Sequence, residues 1–524
     1  MCTTPLVGEQ ALDKPTGELF SLISDLRESW RPNNLEDVAS ARQIETQLDH
    51  LEVALRQLES GDDESAAEQV ATIAGWLSAR GIGGDLVRAI DQRYRLPNIR
   101  ISFSENLLNA MVASDSHYQS PFREVLLGTL YTGNSTIDSK FSLRTNTAED
   151  HIALTLLWQA TVASRSYSST RRVDVSSRST THITATKELL QLQDGWHVEP
   201  AEAVANTKSR ITGVSMRRLL GRRVARQKVY RQQAGVQRAV ARRAAQRTGE
   251  EFDRQIEKLL SSWQDRFDRQ LRLPLIERDQ FPEVVQQRST SSIVELALLQ
   301  ANRRQFGAVS NMPIRPVQQS ATDLSFSVHQ SAWNNFSAGM LAGEQFREDQ
   351  LAEQVSRLLG WTPEGFKPED KEALWTIHFH KESPLVVDFA DGAVTLTIQA
   401  QGFTVGARSI PSARLKITYD LSVVDSRLRG VRKGRISIVP LEHGEASSHV
   451  GVRYQVFRSM LRRRFDRFFP PEFTWDKLPL PVDWSQQVML TIDACQATEQ
   501  WLQLSCRLTS SSQVDKLAKL NVQP

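Results

Sequence analysis

Two histidines, His378 and His380, lie two residues apart in the run 375–380, which alternates apolar and polar residues. Residues at this spacing in a strand project from one face of a sheet, so the sequence predicts two imidazoles side by side. Paired imidazoles bind zinc or copper, but a site needs a third ligand, and the spacing implies none. We therefore interpret the pair as a strand face first and a metal site second, and we expect no cofactor.

Acid pairs and catalytic fingerprints give little evidence for an enzyme. Asp388 and Asp391 are close in sequence, but Asp391-Gly392 is a favoured hairpin turn. The sequence has no phosphate-binding loop, no G-x-S-x-G, no H-E-x-x-H and no C-x-x-C. This favours a non-enzymatic protein, and a hydrolase with an unrecognised site remains an alternative.

Three cysteines, Cys2, Cys495 and Cys506, match no zinc spacing and are too few for a disulfide framework. Cys495 and Cys506 fall in two apolar runs that are typical of a hairpin. One disulfide and two buried thiols are both compatible with that arrangement. Cys2 resembles the first residue of a processed lipoprotein, although an ordinary thiol is the simpler interpretation.

A basic stretch covers residues 216–247, where no acidic residue occurs. On a helix its arginines project in all directions, which is typical of a segment that is exposed or partnered by something anionic. An anionic lipid or membrane surface and nucleic acid are the functional interpretations. A connecting helix whose charge meets the acidic N-terminal region is the structural one. The candidate anion-binding residues here are Arg217, Arg218, Arg222, Arg223, Arg226, Arg242 and Arg243.

The residues after the basic stretch predict an amphipathic helix. Spacings of three and four place seven apolar residues on one stripe, namely Phe252, Ile256, Leu259, Leu260, Trp263, Phe267 and Leu271. A second basic amphipathic segment covers 452–469, with phenylalanines on one side. It predicts a helix that either packs on a sheet or lies on a bilayer. Its candidate anion-binding residues are Arg458, Arg462, Arg463 and Arg464.

These segments belong to a chain of 524 residues, which is long enough for about three domains. Residues 1–95 predict an acidic helical bundle, and 98–215 and 320–445 predict two antiparallel β-rich modules with alternating apolar and polar residues. Residues 216–300 predict a long basic helical connector. Residues 450–524 predict the amphipathic helix and a C-terminal strand pair. The fold class is therefore α+β.

No apolar run reaches the roughly 18 residues of a membrane-spanning helix, so we expect no transmembrane helix. The N-terminus lacks the basic start and apolar stretch of a secretory signal. We expect a cytoplasmic protein, or a periplasmic or envelope-associated one if an upstream signal peptide precedes this chain. Oligomeric state does not follow from the sequence.

The two β-rich modules contain similar short runs. Ser-Phe-Ser occurs at 102–104 and at 325–327, and residues 394–400 echo 154–160. The offset grows between these pairs, which indicates an insertion in the second module near 361–370. Repeats in the same order favour an internal duplication.

This pattern of strand, short helix and Thr-rich antiparallel strands resembles tandem tubular lipid-binding modules of the bactericidal permeability-increasing-protein type. The resemblance covers 98–215 and 320–440 and implies curved sheets that each wrap a helix and enclose a lipid tail. The sequence also resembles large bacterial envelope proteins. We therefore predict a binding or scaffolding protein of the envelope that holds a lipid or another apolar ligand, with anionic lipid as its partner and nucleic acid as the alternative.

Overall fold

The structure is a computed structural model, and it describes residues 17–29, 35–60, 66–170, 173–192, 195–216, 222–309, 322–351, 353, 375–405, 408–441, 452–475 and 489–509. Cys2, Arg217, Arg218 and the loop at 361–370 lie outside these residues. The side chains of Arg222 and Arg223 are also not described.

The described helices and strands confirm the α+β class. The helices are α1 (Gly17–Ser29), α2 (Leu35–Ser60), α3 (Ala66–Ala79), α4 (Gly84–Tyr94), α5 (Glu105–Val112), α6 (Arg222–Phe267), α7 (Leu273–Ile276), α8 (Gln330–Leu341) and α9 (Val452–Phe468), with a π-helical turn at Asp268–Arg272. No described helix is both long enough and apolar enough to cross a bilayer.

The strands form three sheets. They are β1 (Ile99–Ser104), β2 (Ser114–Leu126), β3 (Thr129–Asn146), β4 (Ile152–Ser169), β5 (Val173–Leu192), β6 (Gly195–Val198), β7 (Glu202–Met216), β8 (Glu283–Ser289), β9 (Ile293–Leu299), β10 (Leu324–His329), β11 (Gln345–Arg347), β12 (Trp375–Phe379), β13 (Leu385–Ala390), β14 (Ala393–Val405), β15 (Arg408–Ile410), β16 (Ala413–Val424), β17 (Arg427–Arg432), β18 (Ser437–Pro440), β19 (Glu472–Trp475), β20 (Leu490–Thr498) and β21 (Trp501–Leu508).

The chain divides into two compact units. The first unit comprises Met1–Ser102, Arg272–Val285 and Leu296–Pro524, and the second unit comprises Phe103–Leu271 and Gln286–Glu295. A six-stranded sheet has the order β20-β21-β10-β1-β9-β8, and β1, β8 and β9 have residues in both units.

The N-terminal helices of the first unit pack around an apolar core. Leu51 and Leu55 of α2, Leu77 of α3 and Ile90 of α4 are fully buried in it. Their three- and four-residue spacing explains why this acidic segment folds as a bundle, because each helix keeps one apolar stripe for its neighbours.

The second unit is built on a sheet of long antiparallel strands in the order β2-β3-β4-β5-β6, with β7 also paired to β5. Alternation of buried and exposed residues along β5 shows that one face of this sheet is covered. Strand β2 forms one edge, and Pro121 lies near its middle, opposite Asn134 of β3.

The predicted helical connector at 216–300 is too long. The helical segment ends at Ile276, and strands β8 and β9 occupy 283–289 and 293–299. Pro282 and the β-branched pair Val284-Val285 favour an extended backbone here, which the connector interpretation did not take into account.

The second β-rich module forms a nine-stranded sheet. Six strands follow one another in the order β11-β12-β14-β16-β17-β19, β13 and β15 also pair with β14, and β18 also pairs with β16. Leu461, Phe465 and Phe468 of α9 are buried in a core with Trp375 of β12 and Phe403 of β14. This confirms that the apolar side of α9 packs on a sheet. The bilayer interpretation of α9 is not supported, since the same phenylalanines are covered by protein.

The two modules share part of their order of elements, although β13, β15 and β19 have no counterpart in the first module. Each begins with a strand (β1, β10) and a short helix (α5, α8), and these two strands are neighbours in the six-stranded sheet. In each, a long strand (β5, β16) pairs near its end with the strand after a hairpin (β6, β17) and nearer its start with the next strand (β7, β18). A long helix (α6, α9) comes next. A terminal strand pair (β8 with β9, β20 with β21) completes each series.

The C-terminal strand pair carries two free thiols. In the β20–β21 register Cys506 faces Ile492 and Cys495 faces Leu504, so the cysteines are not opposite each other. Burial raises the pKa of Cys495 to about 11 and that of Cys506 to about 12.

We therefore expect Cys495 and Cys506 to react slowly with a thiol reagent. A pKa raised by two units lowers the thiolate fraction at pH 8 by about 100-fold relative to the unfolded chain. The measurement is the rate of absorbance change with a chromogenic disulfide, on a Cys2→Ala variant, folded and in urea. Equal rates in the two conditions would contradict the burial of these thiols.

Candidate ligand-binding site

Helix α6 lies along the covered face of the sheet in the second unit. Gln237 Nε2 donates to the carbonyl oxygen of Ser209 on β7 at 3.2 Å and to its hydroxyl at 3.1 Å. Further along, a Cβ placed on Gly249 would lie 3.5 Å from the Ala201 carbonyl oxygen. The ring of Phe252 meets Phe141 of β3 edge to face, with centroids 6.0 Å apart. The helix therefore follows the sheet closely over this length.

An ion pair fixes the position of α6 on the sheet. Lys187 of β5, only 4% exposed, contacts the Asp253 carboxylate and donates to the Glu199 carbonyl oxygen at 2.9 Å. The backbone N–H of Ala201 also donates to Asp253, at 2.9 Å. No pattern in the sequence predicts this pair, because a single lysine in a Thr-rich strand is ordinarily solvated.

The predicted apolar stripe of α6 divides into a covered and an exposed part. Phe252 and Ile256 are 7% and 6% exposed. Of the next five apolar positions, Leu260 is partly buried and the other four are roughly half exposed: Leu259 50%, Trp263 41%, Phe267 46% and Leu271 48%. We call these four residues, which follow one another at intervals of four, the exposed stripe.

The length of the sheet accounts for the far end of the exposed stripe. Between Gln237 and Asp253 the helix follows β5 in the same direction, because Ser209 pairs with Ser179 and Asp253 contacts Lys187. Strand β5 ends at Leu192, five residues or about 17 Å after Lys187. Phe267 lies fourteen helical residues or about 21 Å after Asp253, so the helix passes the end of β5 between Trp263 and Phe267.

Two more apolar side chains are exposed at this end of the sheet. Trp196 and Val198 of β6 pair with Gln191 and Leu189 of β5. Residues two apart share a face, so these side chains lie on the face to which Lys187 and α6 belong. Trp196 is 41% exposed and Val198 is 39% exposed. Exposed apolar residues from both the helix and the sheet therefore occur at one end of the second unit.

The arginines of the basic stretch differ in their surroundings. Arg226, Arg242 and Arg243 are exposed on α6. Arg247 contacts Glu124 of β2 at 3.0 Å, and Arg243 approaches the same carboxylate at 3.6 Å, so part of this charge is balanced within the second unit. Nothing in the described part of the chain supports nucleic acid as a partner.

The arginines of α9 are also divided. Arg458 and Arg463 are exposed, and Arg462 donates to the Ile436 carbonyl oxygen at 3.3 Å. Arg464 is buried and lies 3.3 Å from the carboxylate of Glu348, which is itself 4% exposed. Arg464 therefore belongs to an internal ion pair and is not part of a surface that binds anions.

The two strand histidines lie at the end of β12. Burial alternates from Trp375 to His380, with His378 and His380 both partly exposed. The register of β12 with β14 shifts between His378 and Phe379. The Glu382 N–H donates to His380 Nδ1 at 3.2 Å. The described residues hold no group of three or more His, Cys, Asp or Glu side chains that fits a metal ion.

The turn at Asp391 is as predicted. Asp391 and Gly392 both have positive φ, 50° and 75°, and connect Ala390 to its partner Ala393. This is the geometry of a two-residue hairpin, which accounts for the acidic residue without a catalytic role.

Comparisons with known proteins give only weak likenesses of fold. No known family matches the sequence, and no curated protein matches it. Among solved structures, the crystal structure of a lipopolysaccharide binding protein is similar at a TM-score of 0.26 and 9% identity, over 79% of this chain and 99% of that chain. This likeness concerns the fold alone and carries no argument about function.

Proposed function

We propose that the protein binds a lipid or a similar amphiphile without changing it chemically, and that the exposed stripe holds the hydrocarbon chain. One observation carries this proposal. The apolar periodicity of α6 continues from the covered residues Phe252 and Ile256 into four residues that are 41–50% exposed. Large apolar surfaces of this kind mark binding sites in folded proteins.

The free energy available from covering the exposed stripe is sufficient for stable binding. An aromatic side chain buries about 150–250 Å², so covering the remaining half of Trp263 or Phe267 removes about 100 Å² from water. At about 25 cal/mol per Å² this contributes about 2.5 kcal/mol for each aromatic residue. The two leucines, Trp196 and Val198 add to it.

The length of the exposed stripe fits a lipid chain. From Leu259 to Leu271 the helix advances about 18 Å, and half of a bilayer's hydrocarbon core is about 15 Å thick. The exposed arginines of α6 favour an anionic membrane as the source of the lipid. Location in the bacterial envelope is part of this proposal and rests on the sequence alone.

The test is vesicle flotation with a variant of the exposed stripe. We expect the wild-type protein to float with vesicles of phosphatidylcholine and phosphatidylglycerol, and Trp263→Asp/Phe267→Asp to lower the bound fraction at least about 10-fold, or about 1.4 kcal/mol. Tyr230→Asp is the matched control, because Tyr230 lies on the same helix, is 49% exposed and is not part of the stripe. It should bind as the wild type does.

Two outcomes would contradict the proposal. One is equal flotation of the stripe variant and the control. The other is a stable dimer of the wild-type protein in sedimentation that becomes monomeric in the stripe variant, because a second copy would then cover the stripe.

We also infer that the two β-rich modules arose by duplication. The shared order of elements supports this, and so do the two sequence echoes. Ser-Phe-Ser falls in the corresponding strands β1 and β10, and the second echo falls in β4 and β14, each the third strand along its sheet. An experimental structure with a different order of these elements in the two modules would contradict the inference.

A further inference from the structure

A polar groove lies on the sheet of the second unit, on the face opposite α6. Lys187 contacts α6, and the alternating residues Ile183 and Ala185 on its side of β5 are buried, whereas His182 and Thr184 project to the other face and are exposed. The groove is shallow and open to solvent, has a volume of about 630 Å³ and crosses the four strands β2 to β5.

The strand register arranges the polar side chains of the groove in two rows. The first row is His117, Asp138, Thr161 and His182, and the second row is Asp115, Lys140, Gln159 and Thr184. Adjacent strands are about 4.8 Å apart, and residues two apart are about 6.6 Å apart along a strand. The eight side chains therefore form a grid of about 14 by 7 Å.

Hydrogen bonds orient the first row. His117 Nδ1 bonds to the Asp138 carboxylate, and Thr161 Oγ1 bonds to His182 Nδ1 at 3.2 Å. The second row adds a carboxylate, an ammonium group, an amide and a hydroxyl group. The groove therefore offers both donors and acceptors on all four strands.

The chemistry of the grid favours one class of ligand. The two carboxylates repel an anion, and the Lys140 ammonium group near the middle repels a cation. The described residues offer no group that fits a metal ion, and the lining includes no aromatic side chain that would hold an ammonium ion or an apolar ligand. A neutral molecule with many hydroxyl groups can bond to carboxylate, ammonium, amide and imidazole groups together.

We propose that this groove binds a neutral carbohydrate of about two sugar rings. In the complex Asp115 and Asp138 accept hydrogen bonds from sugar hydroxyl groups, and Lys140 and Gln159 donate to them. The site is independent of the exposed stripe, because it lies on the opposite face of the sheet.

The test is saturation-transfer NMR and calorimetry on the full chain with maltose, lactose and diacetylchitobiose. We expect at least one disaccharide to bind with a Kd of about 1 mM or tighter, and Asp115→Asn and Lys140→Met each to weaken it at least about 10-fold. Lys208→Met is the matched control, since Lys208 is exposed on β7 and does not line the groove. It should leave the affinity unchanged.

Three results would overturn the proposal: no binding of any of the three sugars, equal binding by Lys140→Met and Lys208→Met, or binding of inorganic phosphate or spermidine in their place. The mutated side chains are exposed, so the melting temperature of each variant should match that of the wild type. Trp263→Asp/Phe267→Asp should retain sugar binding, which separates failure of this proposal from failure of the lipid proposal.

Discussion

Replacing Asp253 by alanine is expected to lower the free energy of unfolding of the second unit by about 3 kcal/mol. The substitution leaves the Lys187 ammonium group 4% exposed and bonded only to the Glu199 carbonyl oxygen. Breaking a buried ion pair from one side typically costs about 3–5 kcal/mol. We take the lower end because Asp253 itself is 41% exposed. The measurement is urea unfolding combined with hydrogen exchange of the α6 and β5 amides.

Two further variants make this result specific. Asp265→Ala on the same helix breaks an exposed ion pair with Arg269, and such pairs contribute less than about 1 kcal/mol. Replacing both partners, Lys187→Met with Asp253→Leu, should restore most of the lost stability, because no unpaired charge remains buried. Equal losses for Asp253→Ala and Asp265→Ala would show that the Lys187 contact does not anchor the helix.

We also expect the first unit to have a lower free energy of unfolding in mild acid than at neutral pH. Burial lowers the pKa of His329 from 6.5 to about 4. His329 is 2% exposed, its Nε2 bonds to the Gln500 side chain at 3.0 Å, and its ring meets Trp501. The unfolded chain therefore takes up a proton at this position before the folded chain does.

The sign of the pH dependence follows from this difference. The stabilisation is complete above pH 6.5, decreases as the pH falls from 6.5 to 4, and does not decrease further below pH 4. A shift of this size corresponds to about 3 kcal/mol. Urea unfolding at pH 7 and pH 4 measures the loss in the wild type and in His329→Gln, which cannot titrate. The wild type should lose about 3 kcal/mol more than the variant, and identical pH profiles would exclude the role of His329.

The helices were largely predictable from the sequence, but the extent of their burial was not. Phe252 and Trp263 occupy the same stripe with the same spacing, so periodicity assigns both to a core. Whether each is covered depends on which strands lie beside it, and strands β5 to β7 come from residues 173–216, earlier in the chain. Local patterns carry no information about those neighbours.

The pairing of strands that are far apart in the chain was equally impossible to predict from the sequence. Strands β1 and β10 were expected as strands, but their neighbours β9 and β21 follow about 190 and 180 residues later, and a strand pattern does not specify its partner. The sugar groove has the same origin. Asp115, Lys140, Gln159 and Thr184 are ordinary solvated residues in sequence, and only the register of four strands places them in one row.

Strand β2 is an edge strand of thirteen residues. The unpaired backbone groups of an edge strand can pair with a strand of another molecule and so start a fibre. Pro121 divides this edge near its centre, because proline has no N–H to offer an incoming strand and its ring keeps the backbone from lying flat against one. An added strand finds only two short stretches of free backbone, one on each side. We therefore expect Pro121→Thr to shorten the lag time of aggregation at elevated protein concentration.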